Sequence, residues 1–160
     1  MKVMRIMTLL SLAGLLVGCA GEKIVGKNIG IDEISEFYYT YDNINYNAFY
    51  QRYHFYVEEG RHMFFHETRQ VEDGYGPATE KDTVKSGTIE LSDEQWEEFF
   101  DFLKEGTVRK REESLEDGDS GPWFYLYWKG DRSEYQEFSF ASYEKRLAFE
   151  AFCEQLAESV

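Results

Sequence analysis

Few side chains in this 160-residue chain have the reactivity to do chemistry: two cysteines, three histidines and an excess of carboxylates. Cys19 ends an apolar run, and Cys153 sits in an apolar helical stretch where a small buried hydrophobe is the expected role. His54, His62 and His66 lie close enough in sequence to raise the question of a metal site. Asp117-Gly118-Asp119-Ser120-Gly121 places acidic residues at alternate positions, as a calcium loop does. Its fifth position is Gly121 and its twelfth is Trp128, so the remaining oxygen ligands are missing and a Gly/Asp turn explains it equally. Glu97-Glu98 and Glu112-Glu113 offer paired carboxylates for acid–base work, but adjacent helical residues do not face each other. There is no nucleophile elbow, phosphate-cradling glycine loop, HExxH helix or CxxC pair. The residues therefore nominate no catalytic site, no metal site and no cofactor.

The N-terminus carries the one specific motif. Lys2 and Arg5 precede an apolar stretch from Met7 to Val17, broken only by Ser11 and Gly14, and no acidic residue occurs before Glu22. That is the three-part form of a secretory signal, and its apolar run is about half of the roughly 20 residues of a membrane span. Leu16-Val17-Gly18-Cys19 at its end resembles the lipobox of bacterial lipoproteins. The resemblance implies that signal peptidase II cuts between Gly18 and Cys19 and that the Cys19 thiol carries diacylglycerol. It further implies that two or three acyl chains hold the mature protein on the outer side of a cell membrane. The run Gly121 to Trp128, followed by Phe138-Ser139-Phe140, is similar in style to uncharacterised small lipoproteins of Gram-positive bacteria and implies no activity.

Removing residues 1–18 leaves 142 residues, enough for one domain with a real core. With 15 Lys+Arg against 31 Asp+Glu, the mature part has a net charge of −16. Such a surface repels nucleic acid and disfavours flat binding to anionic lipid, so the acyl chains are expected to hold it without electrostatic help. Acylation of Cys19 leaves Cys153 as the only thiol and excludes an internal disulfide.

The elements that must position these groups follow from periodicity. Residues 19–35 read as a tether, with Ile29 to Ile34 able to dock, spanning roughly 20–25 Å as a coil. Residues 36–160 read as a single domain. Glu36–Tyr41, Asn47–Glu58, Arg61–Val71 and Lys85–Leu91 are strand-like, with a turn at Asp42-Asn43 and a loop over Asp73–Thr79. Ser92 and Gln95 form a capping box, Leu91 and Trp96 a hydrophobic staple, and Trp96, Phe99, Phe100 and Leu103 the apolar face of a helix that Gly106 is placed to end. Thr107–Glu112 suggests an edge strand, and Trp123–Trp128 with Tyr135–Phe140 a hairpin. A second helix runs over Tyr143–Glu158 with Ser142 as cap and Ala148, Phe149, Phe152, Cys153 and Leu156 on its apolar face. The expectation is an α+β fold: an antiparallel sheet of about six strands with two helices packed on one face.

Two registers are open at Glu59-Gly60. A two-residue turn pairs Glu58 with Arg61 and Arg52 with Glu67, gaining charge pairs of a few tenths of a kcal/mol each. A bulged turn pairs Val57 with Arg61 and gathers Phe49, Tyr53, Phe55, Val57, Met63 and Phe65 on one face. At roughly 1.5–3 kcal/mol per buried side chain, the second is favoured. It sends His54, His62 and His66 to one solvent-facing outer face, with His62 and His66 roughly 13 Å apart and unable to share an ion.

Two functional classes follow. A tethered binding module facing a protein or cell-envelope partner is motivated by the anchor, the acidic surface and the excess of Tyr and Trp, and predicts a large aromatic patch. A small envelope hydrolase assembled from distant carboxylates and histidines predicts a concave site around them.

Overall fold

Alternating aromatic residues in the middle of the chain build one sheet, and two amphipathic helices close its apolar side. The computed structural model describes residues 21–111, 122–129 and 136–159. The strands are β1 (Lys23–Ile24), β2 (Ile34–Asn43), β3 (Phe49–Glu58), β4 (Arg61–Gln70), β5 (Thr83–Glu90), β6 (Thr107–Lys110), β7 (Trp123–Trp128) and β8 (Gln136–Ser139). Helix α1 covers Asp93–Leu103 and α2 covers Tyr143–Glu158. The pairings between these strands are all antiparallel, in the order β1-β6-β8-β7-β2-β3-β4-β5.

The α+β class is as expected, but the described residues form eight strands rather than about six. Strand β6 is the short strand read at Thr107–Glu112, and β1 is the one not foreseen; the two pair at one edge, with Lys23 opposite Val108 and Ile24 opposite Thr107. The segment read as a tether is thus built into the domain from Lys23 onward. Val25 and Ile29 are each only 1% exposed. Val25 N–H donates to the Gly106 carbonyl (2.9 Å), and Glu105 N–H to that of Val25 (3.0 Å). Three branched apolar residues, Val25, Ile29 and Ile34, gain more from burial than the glycine-rich stretch loses in chain entropy. Strand β2 also runs two residues past Tyr41, displacing the turn beyond Asn43.

The core lies between the helices and the sheet face that bears Phe37, Tyr39, Tyr53, Phe55, Phe64, Phe124, Leu126 and Phe138. Phe37 contacts Phe99 of α1 (5.6 Å between ring centres), Phe149 of α2 (5.3 Å) and Phe138 (5.5 Å). Phe55 stacks on Phe99 at 4.1 Å and lies 5.8 Å from Phe149. Two strand residues that each touch both helices place both helices on one face. Helix α1 starts as its signals predict: Ser92 Oγ accepts from Gln95 N–H (3.2 Å), and Leu91 and Trp96 are buried. In α2, Ser142 Oγ caps Lys145 N–H (3.1 Å), and Ala157 rather than Ala148 completes the buried face.

The hairpin register is the one not favoured on burial grounds. Glu58 pairs with Arg61 and Arg52 with Glu67 across a two-residue turn. Glu59 (φ 52°) and Gly60 (φ 78°) are both left-handed, the turn whose twist matches antiparallel strands. The burial argument fails because both faces of β4 are covered. Phe64 and His66 sit under the helices, while Met63 and Glu67 are buried on the opposite side. Counting apolar residues on one face therefore could not discriminate.

Gly106 does not end α1 as expected. Glu105 takes the left-handed conformation (φ 67°), and Gly106 is needed because a Cβ there would lie 2.5 Å from the buried Phe138 ring and 2.9 Å from the Leu103 carbonyl. Gly106→Ala is expected to lower urea-unfolding stability by about 1–3 kcal/mol, the usual cost of overpacking a core.

Candidate functional site

The observed register separates the histidines. His62 and His66 project to the helix-covered face and His54 to the other, so the single outer face of three solvent-facing histidines is corrected. His62 lies flat on Trp96 (4.3 Å, 1°), with Nδ1 3.8 Å from Asp93 Oδ1. His66 is 1% exposed, and neither ring nitrogen has a hydrogen-bond partner among the described residues. Burial, assisted by the Lys85 ammonium, lowers its pKa and keeps it neutral.

His54 is the member with a constellation around it. Strand alternation and the β2–β3 register put Glu36, Tyr38, Arg52, His54 and Tyr56 on the helix-free face, with Phe65 from β4 and Tyr125 and Tyr127 from β7 beside them. The His54 ring is stacked between Tyr38 (4.1 Å, 11°) and Tyr56 (4.5 Å, 22°). Tyr127 meets Tyr38 edge-on at 6.1 Å. Tyr38 Oη–H donates to Glu36 Oε2, and His54 Nε2 lies 3.3 Å from the same oxygen. Arg52 lies over Tyr38 (5.4 Å) and Phe65 (5.9 Å).

The electrostatics follow from this half-buried setting. Burial between the two tyrosine rings, reinforced by the Arg52 guanidinium, lowers the His54 pKa to about 4. The ring is therefore neutral at pH 7, and Nε2–H donates to Glu36 as a hydrogen bond. Burial also raises the pKa of Tyr38, with Arg52 opposing, so this phenol stays protonated as a donor. Farther along the face, Arg69 pairs with the buried Glu67 (2.8 Å) and lies over Tyr50 (4.8 Å), and Thr83 Oγ1–H donates to Glu67 (3.2 Å). The Arg69 guanidinium holds the Glu67 carboxyl below its ordinary range.

Chemically, a carboxylate oriented against a neutral imidazole is half of a general-base arrangement. The nucleophile is the missing half: among the described residues Glu36 is the only hydrogen-bond partner of the His54 ring. Two cavities, of about 310 and 750 Å³, lie elsewhere, and neither is lined by a histidine. As a recognition surface the cluster is more complete. Rings stacked face to face stand on edge; the Tyr38 hydroxyl and His54 Nε2–H are turned to Glu36, so the Arg52 guanidinium is the charged group of the cluster with no carboxylate in ion-pair distance among the described residues.

The other sequence candidates are quickly placed. Cys153 is fully buried, and desolvation raises its thiol pKa well above the ordinary value, so it is an inert thiol. Glu97 and Glu98 lie exposed on α1. Gly18, Cys19, Glu112-Glu113 and the Asp117–Gly121 loop lie outside the described residues. Among the described residues no three His, Cys, Asp or Glu side chains converge as metal ligands, and no helix is long and apolar enough to cross a membrane. Sequence reasoning missed the Glu36–Tyr38–His54 cluster; the alternation of Glu36, Tyr38 and Thr40 opposite Arg52, His54 and Tyr56 was its signal, readable only once the register is known. Compared with known proteins, the chain matches no family model, no curated protein and no solved structure.

The His54 shift has a sign. Its folded pKa of about 4 lies below the unfolded 6.5, so the unfolded chain takes up the proton first as pH falls. The stabilising difference is full above pH 6.5 and is lost as pH drops from 6.5 through about 4, by about 3 kcal/mol from this group. Urea unfolding at pH 7.5, 5.5 and 4.5 should show wild type losing stability more steeply than His54→Gln.

Proposed function

We propose that this chain is an extracytoplasmic lipoprotein, held to the cell membrane by acyl chains on Cys19, and that it works as a binding module. The recognition surface is the helix-free sheet face around Tyr38, Arg52, His54 and Tyr56. The observation that carries this reading is the row of half-buried aromatic rings and the Arg52 guanidinium on a face that neither helix covers. In a chain of net charge −14, Arg52 has no carboxylate within ion-pair distance among the described residues, although Glu36 and Glu67 share its face. Its two flanking rings restrict it, so less rotamer entropy is lost when a partner carboxylate binds. Such a group suits a protein or cell-envelope partner that supplies hydrogen-bond acceptors.

An envelope hydrolase is the second reading, and the Glu36–His54 pair is what favours it. It is the weaker one, because no nucleophile joins that pair among the described residues.

A photo-crosslinking amino acid placed at Tyr56 in living cells should give a discrete adduct. The same probe at Leu147, exposed on α2, should not, and Arg52→Glu should reduce the Tyr56 adduct at least severalfold, as expected for a central arginine anchor. Equal adducts from both positions would refute the assignment of this face.

A further inference from the structure

The first residue built into the domain is Lys23, four residues after Cys19. Four extended residues span at most about 14 Å, so an acyl-bearing Cys19 must hold the β1 edge close to a bilayer. That edge is also where the groove of about 750 Å³ opens, between the Ile24–Ile31 segment, the end of α1 and the start of α2. Its lining includes Ile24, Ile31 and Phe100, with Lys27, Lys104 and Lys145 around them.

The charges at this edge contrast with those of the chain as a whole. Lys23 and Lys27 are exposed and have no carboxylate partner among the described residues. Lys104 pairs with Asp101, and Lys145 Nζ donates to the Lys104 carbonyl (2.7 Å), leaving N–H groups free on both. The groove lining itself carries Lys27, Lys104 and Lys145 against Asp101 and Glu105, a net charge of +1 in a chain of net charge −14.

We infer that the β1 edge and its lysine-rimmed groove form a membrane-facing surface that binds anionic phospholipid headgroups. This rests on the lipoprotein reading proposed above. The acidic remainder of the domain is repelled by an anionic bilayer while this edge is attracted, so one orientation is selected. Sheet order then sets the geometry. Strand β5 lies seven strand spacings from β1, roughly 30 Å away, and strands β2–β4 lie roughly 20 Å or more from the membrane.

The test is a lysine footprint on the full lipidated protein reconstituted in vesicles of phosphatidylcholine alone or with one third phosphatidylglycerol. An amine-acetylating reagent and mass spectrometry read each lysine. Acetylation of Lys23 and Lys27 should slow about threefold or more in the anionic vesicles, relative to Lys85 on β5, and the difference should vanish in high salt. A Lys23→Glu/Lys27→Glu protein, altered only at exposed positions, should show no lipid dependence at Lys104 or Lys145. Equal rates in both vesicle types, protection of Lys85 instead, or persistence of the effect in the double variant would overturn the inference while leaving the anchor intact. The same spectra report the N-terminal peptide. If Cys19 carries no acyl chain and the protein does not float with vesicles, the anchor reading and this inference fall together.

Discussion

The left-handed backbone at Glu59 and Gly60 decides which side chains of β3 and β4 meet the helices and which meet the exterior. A one-residue slip in a ladder moves every side chain to the other face. With the two-residue turn, Phe55 meets Phe64 at 4.8 Å beneath the helices, and His54 enters its place between Tyr38 and Tyr56. A non-glycine residue at positive φ costs about 1 kcal/mol or more, and Glu59 is held there by a ladder of ten residue pairs. The apolar core and the outer cluster are thus two consequences of one turn.

Much of the fold was legible because local signals agreed with tertiary burial. The Ser92 capping box, the Leu91–Trp96 staple and the Trp96–Leu103 stripe specify α1 independently of anything distant. Ser142 and the Phe149–Leu156 stripe do the same for α2. Where the reading failed, the deciding contacts are remote. Val25 is recruited by backbone bonds to Glu105 and Gly106, about eighty residues away, and a glycine-rich sequence does not announce that. The histidines were misplaced because Met63 and Phe65, on the outer face, are more apolar than the inward-facing His62 and His66, and the burial of Met63 and Glu67 on that second face removed the contrast on which pattern reading depends. The candidate cluster needed that register before Glu36, eighteen residues from His54, could be seen beside it.

Buried polar groups mark where this fold departs from a purely apolar core. His66 sits neutral on the helix-covered face, 6.1 Å from the Phe64 ring and without a hydrogen-bond partner among the described residues, which costs free energy. Glu36 and Glu67, by contrast, are buried on the helix-free face and each accepts hydrogen bonds from neighbouring strands or residues. The carboxylates, phenols and guanidinium groups of this face are thus ordered against one another, which is what supports the recognition role proposed for it.

Anchor, edge and face combine into one spatial reading: acyl chains at Cys19, the β1 edge against headgroups, and the Tyr38–His54–Tyr56 row held above the bilayer. All of it depends on acylation at one residue. Labelling cells with an alkyne fatty acid and comparing wild type with Cys19→Ala tests that directly. The label should be present on the wild-type protein and absent from the variant; a Cys19→Ala protein that labels as strongly as wild type would contradict it.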